Sequence, residues 1–223
     1  MQVFLHRGRN LMLRIGIAKM SHRYHEKNFR FNPAFFEIPD GSWIEGYWQS
    51  EKYFQVIEQE IRKEFRINST PDGTNLSILE KMKSVAAVSL HIRRGDFVSD
   101  KVTNELHGVC SLSYYEQAIA HIRNHVSDPH FFIFSDDMEW VRENLPVQDL
   151  RVDYMDHNGP KDYEDLRLMY SCRHHITANS SFSWWGAWLN DSKDKIVVCP
   201  EDWTKGPYQN PDIFPDGWIR LKG

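Results

Sequence analysis

VAAVSLHIRRGD, residues 85–96, is the stretch whose reading decides the fold. Its first half is an apolar run of strand length, as expected of a β-strand buried on both faces of a parallel α/β sheet. The run stops at His91, Arg93, Arg94, Gly95 and Asp96, and ligands of such sheets collect where strands end. A guanidinium presents planar, paired N–H donors that match phosphate oxygens, so a diphosphate is the natural ligand for Arg93 and Arg94. Gly95 permits a tight turn, and Asp96 either fixes an arginine or acts on the ligand. An Arg–Asp pair that only ties down a loop is the alternative reading.

Downstream of this stretch, apolar runs of strand length alternate with helical stretches, the signature of βαβ units. The pattern predicts a strand over 85–92 and, after a polar loop, a helix over 114–126 capped by Ser113 with Glu116 at the capping-box position. A strand over 130–134 leads through Ser135, Asp136 and Asp137 to a helix over 138–144. A strand over 151–154 precedes a helix over 162–172. A strand over 174–177 ends in Asn179, Ser180 and Ser181, followed by a helix over 182–189, and further strands are expected over 195–199 and 218–221.

Upstream, apolar Phe54, Ile57, Ile61 and Phe65 predict one amphipathic helix over 51–66, broken by Pro71 and Gly73 before a short helix over 76–83. Residues 44–48 suit a short strand, and residues 1–5 another. The aromatics Trp43, Tyr47, Trp48, Tyr53 and Phe54 suit either sugar stacking or plain packing. The expected division is a partial N-terminal domain over 1–75 and a Rossmann-like sheet domain over 76–223.

At 223 residues, with 41% hydrophobic and 13% aromatic side chains, the chain can build a substantial core. A net charge of −4 argues against a nucleic-acid or membrane role driven by overall charge, so any positive site is local. Cys110, Cys172 and Cys199 are odd in number and widely spaced, which implies no disulfide framework and favours a reducing compartment. No window approaches the ~18 apolar residues of a membrane span, and no signal-peptide pattern opens the chain. The expectation is a cytoplasmic chain, at most peripheral at the inner membrane.

Three strand ends carry polar groups: Arg93, Arg94 and Asp96; Ser135, Asp136 and Asp137; and Asn179, Ser180, Ser181 and Ser183. In a parallel sheet these ends share one edge and can meet in one crevice. Hydroxyl residues opening a helix offer donors and a favourable dipole to an anion, although ordinary capping by Asn179 or Ser180 explains them equally well. With the arginines on the same edge, a nucleotide diphosphate is the better reading. Walker, dinucleotide and nucleophile-elbow motifs are missing from the sequence. His174-His175 and Asp136-Asp137 raise a metal site, but neighbouring strand residues point to opposite faces.

Taken together, HIRRGD (91–96), FSDD (134–137) and NSSFSWWGAWLN (179–190) resemble the α-1,2-fucosyltransferase family, glycosyltransferase family 11, over roughly residues 85–203. The resemblance implies a GT-B-like fold of two Rossmann-like domains, the C-terminal one holding GDP-β-L-fucose, and transfer of fucose with inversion to the 2-hydroxyl of a galactoside. Arg93 resembles the arginine that holds the diphosphate, with Arg94 and Asp96 its motif partners. Asp136 resembles the acid that contacts guanine or ribose, and Ser181 to Ser183 resemble further GDP contacts. The expected site therefore has Arg93 and Asp96 as catalytic residues, with Asp100 a second candidate base. Donor binding falls to His91, Arg94, Ser135, Asp136, Asn179, Ser180, Ser181, Phe182 and Ser183. No metal and no cofactor are expected beyond the donor substrate. The implied acceptor is a galactose-containing glycan or lipid-linked oligosaccharide of surface polysaccharide synthesis, with no nucleic-acid partner. The family's usual glycine-rich opening is missing, so a shortened, inactive nucleotide-sugar-binding module is one alternative. Metal-dependent transfer through Asp136 and Asp137 is another.

Overall fold

A computed structural model of the chain describes residues 22–206 and 209–223, and the strand expected over 1–5 lies outside them. Contacts divide the chain into two units, Met1–Val56 with Asn210–Ile213, and Ile57–Gln209 with Phe214–Gly223. Residues 57–75, grouped by sequence with the N-terminal part, therefore lie in the larger unit.

In the smaller unit, β1 (Arg23–His25) pairs in parallel with β2 (Trp43–Glu45). Tyr24, Phe35 and Tyr53 surround Trp48 at ring distances of 5.0–6.0 Å, so Trp48 and Tyr53 serve packing, while Tyr47 is exposed. The single helix expected over 51–66 is instead two 3-10 turns, Glu51–Tyr53 and Gln55–Ile57, and then α1 (Glu58–Glu64). Phe54 and Ile57 leave helical backbone angles, and the aromatic and β-branched run from Tyr53 to Ile57 has little intrinsic reason to stay helical.

The larger unit is a six-stranded, all-parallel sheet. Its strands are β3 (Ala86–Ile92), β4 (Pro129–Ser135), β5 (Arg151–Tyr154), β6 (His174–Ile176), β7 (Val197–Pro200) and β8 (Ile219–Leu221), in the order β5-β4-β3-β6-β7-β8. Counted from β3, this is the 3-2-1-4-5-6 Rossmann order, with its switch point between β3 and β6.

Helix α2 (Gly73–Ser84) leads into β3, starting at the Asp72 cap three residues before the expected helix. The crossover from β3 to β4, expected to begin as loop, holds α3 (Gly95–Ser99) and α4 (Lys101–Leu106) before α5 (Leu112–His125). The cap of α5 is Ser111, whose hydroxyl accepts from the Tyr114 amide, so the helix starts two residues before the position expected from Ser113. Then follow α6 (Met138–Asn144), α7 (Asp162–Ser171) and α8 (Ser181–Leu189), each within one residue of expectation.

Strand alternation sorts the core. Val88, Leu90, Ile92, Phe131 and Ile133 pack on one face with Tyr115 and Ile122 of α5 and Val141 of α6. Ala87, Phe132 and Phe134 pack on the other with Met82 of α2 and Leu168 and Met169 of α7. Burial on both faces is why these strands read as continuous apolar runs.

Candidate functional site

Register builds the first part of the site. Ile92 pairs with Ser135 at the end of the β3/β4 ladder, so Arg93 and Asp136 stand side by side one residue further out. Arg93 Nη1 lies 2.9 Å from Asp136 Oδ2, and its Nη2 donates to Asp96 Oδ1 at 2.7 Å. The other Asp136 oxygen accepts the Arg94 backbone N–H at 2.8 Å. Gly95 completes the seat: a Cβ there would come within 2.5 Å of Asp136 Oδ2.

The two arginines have different surroundings. Arg94 donates through Nε to Asp137 at 3.0 Å and lies 3.7 Å over the Trp140 ring, with 17% of its side chain exposed. Asp137 is itself fixed, because its backbone N–H donates to Ser135 Oγ and its carboxylate accepts the Trp140 N–H as the cap of α6. Arg93 is twice as exposed, at 34%, and its guanidinium is steered by two carboxylates. Arg94 is thus suited to hold the turn, and Arg93 to meet an anion. The loop-tying alternative describes Arg94 well and Arg93 only in part.

His91, one strand position behind, is buried and has its ring 5.8 Å from Phe182. Burial pushes its imidazole down to about 4, against the pull of Asp136 and with the push of Arg93, so the ring is neutral at ordinary pH. Asp100 caps α4 by accepting the Thr103 N–H at 2.7 Å, and that bond holds its carboxyl below the usual range. A carboxylate kept ionised for capping is a weaker proton acceptor.

The β3/β6 ladder ends where Leu90 pairs with Ile176, and the chain runs on from there through Thr177 and Ala178 to Asn179 at the edge of the switch point. Ser180 caps α8 by accepting the Phe182 N–H. The Ser183 hydroxyl donates to the Ser180 carbonyl and accepts from the Ala178 N–H. Ser181, the first residue of α8, is exposed. The Asn179 amide nitrogen donates to the carbonyls of His107 and Gly108 at 3.0 and 3.2 Å, with the Trp203 carbonyl a third contact at 3.4 Å. The capping reading thus accounts for the side chains of Ser180 and Ser183, while Asn179 pins a distant loop. The end of α8 still points backbone N–H groups and dipole toward the edge that carries Arg93.

Among the described residues, no group of three or more His, Cys, Asp or Glu side chains gathers to hold a metal. None of their helices is long and apolar enough to cross a membrane.

The profile of Glycosyl transferase family 11 matches residues 18–222. The chain belongs to this family. Among glycosyltransferase family 11 relatives, the α-1,2-colitosyltransferase of Escherichia coli is 36% identical over 79% of this chain and 61% of its own length. The O-antigen biosynthesis glycosyltransferase WbnK of the same organism is 33% identical over 85% of this chain and 64% of its own. A galactoside α-(1,2)-fucosyltransferase 1 of Leontocebus fuscicollis is 26% identical over 66% and 42%. The chain therefore spans a little over three-fifths of the length of the two bacterial relatives.

Two residues around the candidate arginines carry no signal in the sequence. Trp140 becomes the platform for Arg94 only because the Asp137 cap turns α6 beneath it. His107, in the stretch expected as polar loop, lies flat on Phe97 at 5.0 Å and 9°, and Phe97 is 5.5 Å from the Arg93 guanidinium. A histidine in such a stretch carries no periodic signal that would single it out.

Proposed function

We propose that the chain binds GDP-β-L-fucose at the ends of β3, β4 and β6 and transfers fucose, with inversion and without a metal, to the 2-hydroxyl of a galactoside. The observation that carries this reading is the accessible Arg93 guanidinium, held between Asp96 and Asp136 at the switch point of a Rossmann-ordered sheet. In the transfer, the acceptor oxygen attacks the anomeric carbon, the bond to the β-phosphate oxygen breaks, and GDP leaves with the electron pair. Negative charge grows on the departing phosphate, so a fixed cation there favours the transition state over bound substrate. The acceptor's proton passes to a base, for which Asp96, half-exposed beside Arg93, is the candidate. His91, Asp136 and the start of α8 complete the donor site, while Arg94, Ser135, Asn179 and Ser183 shape it. The relatives' names support a deoxyhexose donor and an O-antigen or other galactoside acceptor.

Calorimetric titration with GDP and GDP-fucose in EDTA tests the reading. Binding by wild type that falls about 10- to 150-fold in Arg93→Ala is expected from the loss of a charge-assisted contact of about 1.5–3 kcal/mol. Binding that needs a divalent cation would favour Asp136 and Asp137 as metal ligands instead, and binding without turnover would favour the silent module. The colitosyl relative raises a second donor, since colitose is fucose without its 3-hydroxyl. Competition between the two GDP-sugars in the transfer assay decides between them.

A further inference from the structure

A cavity of about 330 Å³ opens at the C-terminal ends of β6, β7 and β8, and shares Asn179 with the donor residues. Asn179, His107, Glu201, Asp202, Thr204 and Lys205 are among its walls. The volume falls in the range of ligand pockets, roughly 300–1,000 Å³. Among its charged walls, Glu201 pairs with Lys222 at 3.7 Å and the Lys205 ammonium donates to Asn104 at 3.2 Å, with the Asp202 carboxylate alongside, so the lining suits a neutral ligand rather than a second phosphate. Amide, hydroxyl and carboxylate groups set around a small hollow are complementary to a polyol, whose hydroxyls both donate and accept.

His107 joins this cavity to the arginine site. It lines the cavity, its ring stacks on Phe97, and Phe97 in turn lies against Arg93. Its Nδ1 is buried with no hydrogen-bond partner among the described residues, a costly state that a turn of the ring toward a ligand hydroxyl in the cavity would relieve. Cys110, also in the wall, accounts for no chemistry, because burial raises its thiol to about 11 and keeps it protonated.

We propose that this cavity is the acceptor subsite: it seats the galactose ring of the acceptor, with His107 at the wall nearest the diphosphate arginine and Asp202 accepting from sugar hydroxyls. The proposal rests on the donor reading above. It places part of acceptor recognition in the same unit as the donor site, on the loop that Asn179 holds in place.

The test uses lactose as the probe, followed by saturation-transfer NMR on protein saturated with GDP, beside calorimetric GDP titration of each sample. Transfer to the galactose ring is expected in wild type, with affinity falling about tenfold or more in His107→Gln and in Asp202→Ala, a loss of about 1.4 kcal/mol, while GDP affinity stays. Should His107→Gln fail to fold, Asp202→Ala, exposed on its loop, decides alone. Absence of a lactose signal beside intact GDP binding, or a signal unchanged in the folded variants, overturns the subsite. Loss of GDP affinity equal to that of lactose assigns the cavity to the donor instead. Failure of wild type to bind GDP at all brings down the donor reading, and the subsite with it.

Discussion

Arg93 Nη1 stands 2.9 Å from Asp136 Oδ2 because the β3/β4 register leaves these two residues adjacent just beyond the last paired position. Their ion pair is part-exposed, and such pairs contribute about 0–1 kcal/mol to stability. Arg94 is better buried, stacked on Trp140 and bonded to Asp137. Arg93→Ala is therefore expected to shift urea unfolding by less than about 1 kcal/mol, and Arg94→Ala by about 1–3 kcal/mol. The ranking should reverse in direct GDP contact, with Arg93→Ala weakening binding at unchanged stability. A larger unfolding loss in Arg93→Ala than in Arg94→Ala would make Arg93 the structural arginine.

Gly95→Ala separates the seat of Asp136 from the stability of the turn. The added methyl would sit 2.5 Å from Asp136 Oδ2, so the carboxylate must move off the position from which it steers Arg93. Gly95 is the first residue of α3, where alanine removes backbone freedom from the unfolded chain and offsets strain by about 0.4–1 kcal/mol. Near-normal melting with GDP affinity several-fold weaker is expected. Wild-type affinity in this variant would show that Arg93 works without Asp136 in place.

The sheet was legible from sequence because strands buried on both faces are apolar throughout: Val88 and Phe131 face one layer, Ala87 and Phe132 the other. The ends of β3 and β4 were legible for the same reason, as abrupt changes from apolar to polar before Arg93 and Asp136, whereas β6, with His174 and His175, has no such run. Contacts made by backbone atoms of distant residues were not. Asn179 looks like a cap in sequence, yet its amide reaches the carbonyls of His107 and Gly108, which any residue type could have supplied. The α1 region misled because its apolar spacing is helical while Phe54 and Ile57 turn out of the helix.

Acid should destabilise the fold through its buried histidines. His175 is fully buried, with Asn190 Nδ2 donating to its Nε2 at 2.7 Å, so the neutral ring carries its hydrogen on Nδ1 and donates to Ser89 Oγ at 2.7 Å. The Asn190 amide is oriented by the Cys172 carbonyl and the Ser192 N–H, which fixes that tautomer. Burial, then Lys195 and His174, lower His175 well below 6.5, and burial lowers His91 to about 4. Folded values below unfolded ones mean that the unfolded chain binds the extra protons. This stability is complete above about pH 6.5 and lost as pH falls below it, at about 1.4 kcal/mol per unit for each histidine until the folded value is reached. Urea unfolding at about pH 7.5, 6 and 5 should show this slope, reduced by about 1.4 kcal/mol per unit in His91→Gln. An unchanged slope in that variant would mean that His91 takes up its proton in the folded state.

Helix α8, which opens the proposed donor site, is held by a close approach to α7. Gly186 is buried against α7, and a Cβ there would lie 2.8 Å from Met169 Cβ and 3.2 Å from its sulfur. Alanine favours a helix over glycine by about 0.5–1 kcal/mol, but overpacking costs about 1–3 kcal/mol, so Gly186→Ala should destabilise on balance. The nearest obstacle is Met169 Cβ, which Met169→Ala retains and Met169→Gly removes. In double-mutant cycles the coupling of Gly186→Ala should therefore be larger with Met169→Gly than with Met169→Ala. Any shift that relieves the contact also moves the start of α8, where Ser180 and Ser181 sit beside the strand ends. GDP affinity should consequently fall in Gly186→Ala at temperatures where the protein is fully folded. Equal coupling in the two cycles, with GDP affinity unchanged, would show that the helix pair adjusts through the Met169 side chain and leaves the donor site in place.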